Sequence, residues 1–368
     1  MTALAEETGA VNLGQGFPDE SGPSVIIEAA VDAMRAGHNQ YAPLPGVPAL
    51  REAIAAHQLR RYGLEIDPAT EVQVTFGATE ALASAALAFV GPGDEVLILD
   101  PAYDSYEPVV RQAGATVSRI PLVPPDWRVE ASAVERALTP RARMLLLNTP
   151  HNPTGRVLDA QELELLADAC RSRDLVAVTD EVYEHLVYDG RHIPLATLPG
   201  MRERTVTVSS LGKTHSLTGW KVGWASGPAE LIGRLRGVKQ FLTFAGGTPL
   251  QHAAAVGLGL PDAEAAKLAA ALRSKRDRLA AGLSDAGFAV LPTAGTYFLN
   301  ADARALGEED AAALCLRLPH EAGVVAIPVS AFSGEPDGPL RSIVRFAFCK
   351  RDDVLDQGIA RLRAWAAG

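Results

Sequence analysis

The sequence predicts an α/β protein: a mostly parallel sheet covered on both faces by helices, with a smaller α+β unit attached. Two observations carry this expectation. Between about Val72 and Gly227, short runs that are apolar throughout alternate with helical patterns, as strands buried on both faces should. After about Leu260 the pattern changes to a long charged Ala/Leu/Arg helix, several shorter apolar runs and a final helix. A length of 368 residues suits one large domain and one smaller one. On this reading residues 31–258 form the large domain, and residues 1–30 with 259–368 form the small one.

Each element has local grounds. Val72-Gln73-Val74-Thr75-Phe76 is β-branched and aromatic and stops at Gly77, where an Ala-rich helix begins. Glu95–Leu99 follows the turn Gly91-Pro92-Gly93-Asp94, and Met144–Leu147 ends at a proline-rich loop. Asp159 opens the amphipathic stretch Gln161–Asp168. Leu175–Thr179 stops at Asp180, and the alternating run Thr205-Val206-Thr207-Val208 leads into Ser209. Ligands of such sheets sit beyond the carboxyl ends of the strands. The loops beginning at Gly77, Asp100, Asn148, Asp180 and Ser209 are therefore expected to gather on one edge. Phe288–Leu291, Tyr297–Leu299, Val324–Ile327 and Ser342–Phe348 read as the strands of the second unit, which the N-terminal segment joins.

Composition excludes several classes. Hydrophobic content of 48% with 21% charged residues is ordinary for a soluble enzyme. A net charge of −10 argues against a nucleic-acid or anionic-membrane surface, because either needs a basic patch. Cys170, Cys315 and Cys349 are too widely spaced for a disulfide framework or a metal-ligand pattern, and no metal is expected. No apolar run approaches the roughly 18 residues of a membrane helix. The start Met1-Thr2-Ala3-Leu4-Ala5-Glu6-Glu7 lacks the basic-then-apolar order of a signal peptide. The expected location is the cytoplasm.

The chemistry concentrates in Ser209-Ser210-Leu211-Gly212-Lys213-Thr214-His215-Ser216-Leu217-Thr218-Gly219-Trp220-Lys221-Val222-Gly223-Trp224. Lys213 lies just past a strand end in a loop of small residues, where a partly desolvated amine loses proton affinity and can attack a carbonyl. Ser210 and Lys221 could grip a phosphate, one by hydrogen bond and one as a point charge. A plain surface lysine beside a Ser/Thr turn is the competing reading of that stretch alone. Gly77-Ala78-Thr79-Glu80 is a strand-to-helix junction whose free N–H groups suit an anion, though many α/β proteins have one. Asn148-Thr149-Pro150-His151-Asn152-Pro153-Thr154-Gly155 is either a turn or a rigid mount for an amide aimed at a ligand. Asp180-Glu181-Val182-Tyr183 reads as a helix start, with a carboxylate and a phenol on consecutive turns, or as a capping Asp with a packed Tyr. Arg345 interrupts an apolar strand, and an interior guanidinium needs an anionic partner.

Taken together and in this order, these segments resemble the pyridoxal-phosphate-dependent class I aminotransferases over nearly the whole chain. The branch is that of the kynurenine and glutamine-K transaminases, also called cysteine-conjugate β-lyases; actinobacterial N-succinyldiaminopimelate aminotransferase-type enzymes look closer still. The likeness rests on Val11-Asn12-Leu13-Gly14-Gln15-Gly16-Phe17-Pro18-Asp19, His151–Gly155, Asp180–Tyr183, Gly219–Trp224 and Arg345-Phe346-Ala347-Phe348-Cys349-Lys350-Arg351-Asp352-Asp353. It implies the type I pyridoxal-phosphate fold, with a seven-stranded large-domain sheet, and an amino acid and a 2-oxo acid as substrates. Lys213 would carry the cofactor as an aldimine and shuttle the proton. Asp180 would pair with the pyridine nitrogen, and Asn152 and Tyr183 would bond the 3′-oxygen. Tyr103 would stack on the ring, while Ala78, Thr79, Ser210 and Lys221 would hold the phosphate. Arg345 would fork the substrate α-carboxylate beside the Gly16 backbone. Tyr41 matches a tyrosine that reaches the neighbouring subunit's phosphate, which implies a homodimer with shared sites.

Three departures stand out. Relatives usually carry a further helix-forming segment ahead of the position of Met1, so either the start is short or misplaced or the site is unusually open. His215 stands where the family usually has Phe, which reads as aromatic packing or as a titratable group near the imine. Gly246-Gly247 suggests room where relatives have side chains. A C–S β-lyase or oxidative deaminase acting on a bulky amino-acid conjugate, as in secondary metabolism, is therefore the alternative to transamination. A regulator that merely senses the cofactor would need an added basic DNA-binding domain, for which this acidic chain has no spare length.

Overall fold

The computed structural model describes residues 1–368. The chain opens with α1 (Thr2–Thr8) and β1 (Val11–Asn12), then α2 (Ser24–Arg35) and α3 (Pro48–Tyr62). Next come β2 (Val72–Phe76), α4 (Gly77–Phe89), β3 (Glu95–Asp100), α5 (Tyr106–Gln112), β4 (Thr116–Pro121) and α6 (Ala131–Ala137). They are followed by β5 (Ala142–Asn148), α7 (Ala160–Arg173), β6 (Val176–Asp180), β7 (Thr205–Ser210), the single turn α8 (Leu211–Thr214) and β8 (Val222–Ser226). Strands β2 to β8 form one seven-stranded sheet in the order β2-β8-β7-β6-β5-β3-β4. Only β8 runs against its neighbours β2 and β7; the rest are parallel to one another.

The apolar strands are double-faced, as their sequence requires. Along β3, Val96 and Ile98 pack with Leu82 of α4, Val110 of α5 and Leu235 of the later helix 229–242. Leu97 and Leu99 point to the opposite face, against Val134 of α6 and Leu163 and Leu166 of α7. Each such buried side chain contributes about 1.5–3 kcal/mol of transfer free energy, so both helical layers are held to the sheet. Helix α7 starts where the sequence marks it. The Asp159 carboxylate accepts from the Gln161 and Glu162 N–H groups at 3.0 Å, and Glu162 reaches back to the Asp159 N–H in a capping box.

Two sheet strands escaped the sequence reading. Edge strand β4 mixes Ser118 and Arg119 with Val117 and Ile120 and is mostly only partly buried, whereas β8 starts inside the Gly219–Trp224 motif and runs on to Ser226. Nor does Asp180-Glu181-Val182-Tyr183 start a helix. Asp180 is the last residue of β6 and the chain leaves it in turns, with the Val182 N–H donating to the Asp180 carboxylate. That local bond satisfies the group a helix cap would have used.

The remainder comprises α9 (Ala229–Leu242), α10 (Thr248–Leu258), the long α11 (Asp262–Asp285), β9 (Ala289–Val290), β10 (Phe298–Asp302), α12 (Ala311–Glu321), β11 (Val324–Val325), β12 (Ile327–Pro328), β13 (Ile343–Ala347) and α13 (Asp352–Ala366). Strands β12-β13-β10-β9 make an antiparallel sheet, with Arg345 of β13 between Ile327 and Asn300. The N-terminal segment joins this part. Val11 of β1 pairs with Val324 of β11, and the Ala347 N–H donates to the Leu13 carbonyl at 2.6 Å. Helix α2 spans residue 30, and its buried Ile26 and Ala30 pack with Leu50 of α3, Trp224 of β8 and Ala254 of α10. No helix is long and apolar enough to cross a membrane.

Candidate active site

The parallel strands end together, and their loops line a cavity of about 300 Å³. Gly77, Ala78 and Thr79 follow β2, Tyr103 follows β3, and Asn148 and Asn152 end or follow β5. Asp180 and Tyr183 come from β6, Ser210 and Lys213 from β7, and Lys221 immediately precedes β8. Phe298 and Arg345 of the second sheet and Gly16 of the N-terminal segment close the cavity. Of the cofactor- and substrate-binding residues that the family resemblance implies, only Tyr41 lies outside. It is 83% exposed and sits edge-on to Phe244.

One end of the cavity suits an anion. The first N–H groups of α4 lack intrahelical acceptors, and the Lys221 ammonium lies 3.4 Å from the Thr79 hydroxyl. Strand β8 approaches this helix start so closely that a Cβ on Gly223 would stand 2.5 Å from the Gly77 carbonyl carbon and 2.6 Å from the Ala78 nitrogen. Only glycine allows that contact. Ser210, at the end of β7, lines the same end.

In the middle, Lys213 is held by the turn of α8, and its Nζ donates to the Tyr297 hydroxyl at 2.6 Å. Burial pushes the amine down to about 8, with Lys221 and Arg345 adding repulsion. Tyr297 donates in turn to the Gly16 carbonyl, while Tyr183 packs edge-on against Tyr297 at 5.2 Å. A side chain on Gly16 would overlap the Phe298 ring.

The Asp180 carboxyl is pushed up to about 6 by burial, against the opposing bonds from the Tyr106 hydroxyl at 2.7 Å and the Val182 N–H at 3.3 Å. Asn148 locks the two neighbouring loops, donating to the Asp180 carbonyl at 2.8 Å and accepting from the Asn152 N–H at 2.7 Å.

Arg345 closes the other end. It is sandwiched between the rings of Phe298 and Phe332, at 4.0 and 4.5 Å from their centroids. Its guanidinium donates to the Asn152 side-chain oxygen at 3.0 Å and to the Gly14 carbonyl at 3.3 Å, and its Nε has no partner. No carboxylate of the chain pairs with it, and burial pushes it down to about 10. The anionic partner expected from the sequence is therefore not a residue of this chain.

Tyr106, Tyr297 and Asn148 were not singled out by the sequence. Tyr106 stands three residues beyond Tyr103, so spacing hinted at it; Tyr297 lies 84 residues from Lys213, and no local signal joins them. His215 and Gly246-Gly247 do not line this cavity. His215 is buried facing Gly257, and burial pushes it down to about 4, which favours the packing reading. All three cysteines are buried and free, and the Cys349 thiol is pushed up to about 12 by burial.

A buried amine facing a buried guanidinium, each without an anion, calls for a ligand carrying an amino group and a carboxylate. The fold and this pairing define an enzyme of amino-group transfer. The chain belongs to the class I and II aminotransferases, whose family pattern it matches over residues 8–362. A protein of Mycobacterium tuberculosis described as a probable N-succinyldiaminopimelate aminotransferase is 54% identical, the match covering 100% of this chain and 95% of the relative. The solved structure of the M. tuberculosis N-succinyldiaminopimelate aminotransferase superposes with a TM-score of 0.97 at 54% identity, over 99% of this chain and 96% of that one. Escherichia coli methionine aminotransferase is 41% identical, covering 99% of this chain and 94% of the relative. Mouse kynurenine–oxoglutarate transaminase 3 is 40% identical, covering 99% and 87%. The activity is that of a transaminase, and nothing in these comparisons favours a C–S lyase.

Proposed function

We propose that this transaminase works with pyridoxal 5′-phosphate and moves the amino group of an amino acid to a 2-oxo acid, with the Lys213 amine as its reactive centre. The observation that carries the reading is the arrangement of an anion cradle, a partly deprotonated lysine and a partnerless guanidinium in one cavity. The cofactor fits this donor set. Ala78, Thr79, Ser210 and Lys221 would hold its phosphate, and Asp180 its ring nitrogen. Asn152 and Tyr183 would hold its ring oxygen, and Tyr103 its face. When bound, pyridoxal phosphate supplies an aldehyde that takes up the amino nitrogen and a ring that accepts the electron pair left by the α-proton.

The protein's share is binding, orientation and proton transfer. Asp180, ionised and buried, keeps the ring nitrogen protonated, and Tyr106 orients the carboxylate. Arg345 forks the substrate α-carboxylate, which fixes the α-carbon relative to Lys213. Nζ of Lys213 takes the α-proton, helped by an affinity already lowered toward neutrality. Tyr297 holds that amine before substrate arrives.

Lys213, Lys221 and Arg345 are the only cations lining the cavity, and Asp104 lies on its wall. This supports donors with an uncharged side chain, in keeping with the name of the E. coli relative. The name of the M. tuberculosis relative specifies a substrate with distal carboxylates. For that reading an adjoining cavity of about 360 Å³, which shares Tyr103, Asp104 and Phe332, offers Arg111 and Arg119, both bonded to Glu107. Tyr41, Phe241 and Phe244 are each exposed, Tyr41 edge-on to Phe244, and a second copy covering them would make the homodimer that the family resemblance implies.

A panel of amino donors with 2-oxoglutarate, scored for the keto acid formed, tests the function and separates the two donor classes. Within it, Arg345→Ala should lower kcat/KM for amino acids by about two orders of magnitude, the loss of a bidentate charged pair. Simple amines, having no carboxylate, should be indifferent. Equal damage toward both would make Arg345 a structural residue.

A further inference from the structure

A second cluster of chemically competent side chains lies next to the cavity wall. Glu184 and His185 follow Tyr183 directly, and His57 comes from α3. The Nε2 atoms of His57 and His185 face each other at 3.0 Å, and with the Glu184 carboxylate the three donor groups lie within 4.8 Å of one another. His57 is 3% exposed and Glu184 5%. Both Glu184 oxygens are hydrogen-bonded to hydroxyls, Tyr62 at 2.5 Å and Ser209 at 2.7 Å. No cation of the chain pairs with it, since the nearby Arg60 and Arg61 are engaged by Asp262 at 3.4 and 3.1 Å. A buried carboxylate without a cation, beside two convergent imidazole nitrogens, is the donor set of a metal site.

We propose that His57, Glu184 and His185 bind a divalent transition metal of the zinc class. In tetrahedral coordination at zinc–nitrogen distances near 2.0–2.1 Å, two imidazole nitrogens stand about 3.3–3.4 Å apart, so the rings need separate only by a few tenths of an ångström. The hydrogen now shared between the two Nε2 atoms moves to Nδ1 of its own ring, and no net proton is released. Nδ1 of His57 is buried without a partner and is free to carry it. Tyr62 and Ser209 supply the outer hydrogen bonds that orient the carboxylate. A cavity of about 480 Å³ reaches Glu184 and His185 from solvent and leaves the fourth position to water. The metal would tie α3 to the turn that carries Tyr183 and, through Ser209, to the strand end at Ser210. The spacing gave no sign of it, because His57 and His185 are 128 residues apart.

The test uses full-length protein saturated with pyridoxal phosphate, freed of excess cofactor and stripped with a chelator. Zinc chloride should bind at one equivalent per chain by calorimetry, and cobalt(II) should give the intense visible bands of a tetrahedral site. His57→Gln and His185→Gln should each weaken zinc about 100-fold or more and abolish the cobalt bands. His252→Ala, which breaks the other close histidine pair, His38–His252 at 4.1 Å between ring centroids, should leave both unchanged. Absence of one-equivalent binding, an octahedral cobalt spectrum, or binding that survives the His57 and His185 variants would overturn the site. If either glutamine variant fails to fold, the wild-type cobalt spectrum decides by itself.

Discussion

Lys213 shows how burial sets reactivity. At pH 7 a free lysine is unprotonated in only about one part in a few thousand, whereas an amine held at about 8 is unprotonated in roughly a tenth of molecules. Because the affinity is lowered, the reactive form is gained as pH rises through 8 rather than through the ordinary lysine range. Covalent capture of pyridoxal phosphate by cofactor-free protein should therefore be half-maximal near pH 8. Borohydride should fix the label on Lys213 by peptide mass, and Lys213→Ala should bind phosphate yet lose turnover by several orders of magnitude. A label on another lysine would refute the assignment. Asp180 obeys the opposite sign. Burial raises it to about 6 and the Tyr106 bond holds it down, so Tyr106→Phe should raise it further. The pH below which cofactor affinity is lost should then move up by about one unit. An unmoved acid limb would mean that Tyr106 only packs.

At the scale of elements, the decisive contact is between the start of α4 and the start of β8. Gly223 lets the β8 backbone lie against Gly77 and Ala78, which keeps the helix N–H groups and Lys221 around one point. In Gly223→Ala the new Cβ has nowhere to go except by displacing backbone, at a cost of about 1–3 kcal/mol. The damage should fall on phosphate binding. Affinity for pyridoxal phosphate should drop about tenfold or more, while pyridoxal, which lacks the phosphate, should bind as before. A fluorescence titration with the two ligands separates this outcome from general unfolding, which would affect both.

For the whole molecule, Tyr41 poses the question of assembly. An 83% exposed tyrosine edge-on to Phe244, with Phe241 also 83% exposed, gains little from its own chain. If a second copy covers this patch and Tyr41 completes the partner's phosphate site, light scattering should give a dimer mass. Mixing inactive Lys213→Ala chains with crippled Tyr41→Ala chains should also restore activity. A hybrid would hold one site with both defects and one with neither. Failure of complementation in a mixture shown to exchange subunits would remove Tyr41 from the site.

The sequence by itself determined the strands that end at Phe76, Asp100, Asn148, Asp180 and Ser210 to within a residue or two, and with them the edge on which the site forms. It could do so because apolar runs and Gly/Pro/Asp stops are local properties of the chain. Contiguous motifs likewise exposed Lys213, Asp180, Asn152 and Arg345. Only the tertiary structure decided that β8 is inserted in reverse between β2 and β7, that the chain leaves Asp180 in a turn, and that His215 faces Gly257 rather than the cavity. It alone joined Tyr297 to Lys213 and left Arg345 without an anion. These outcomes depend on sheet order and on which side chains meet across it, and no periodicity within one segment encodes a partner many residues away.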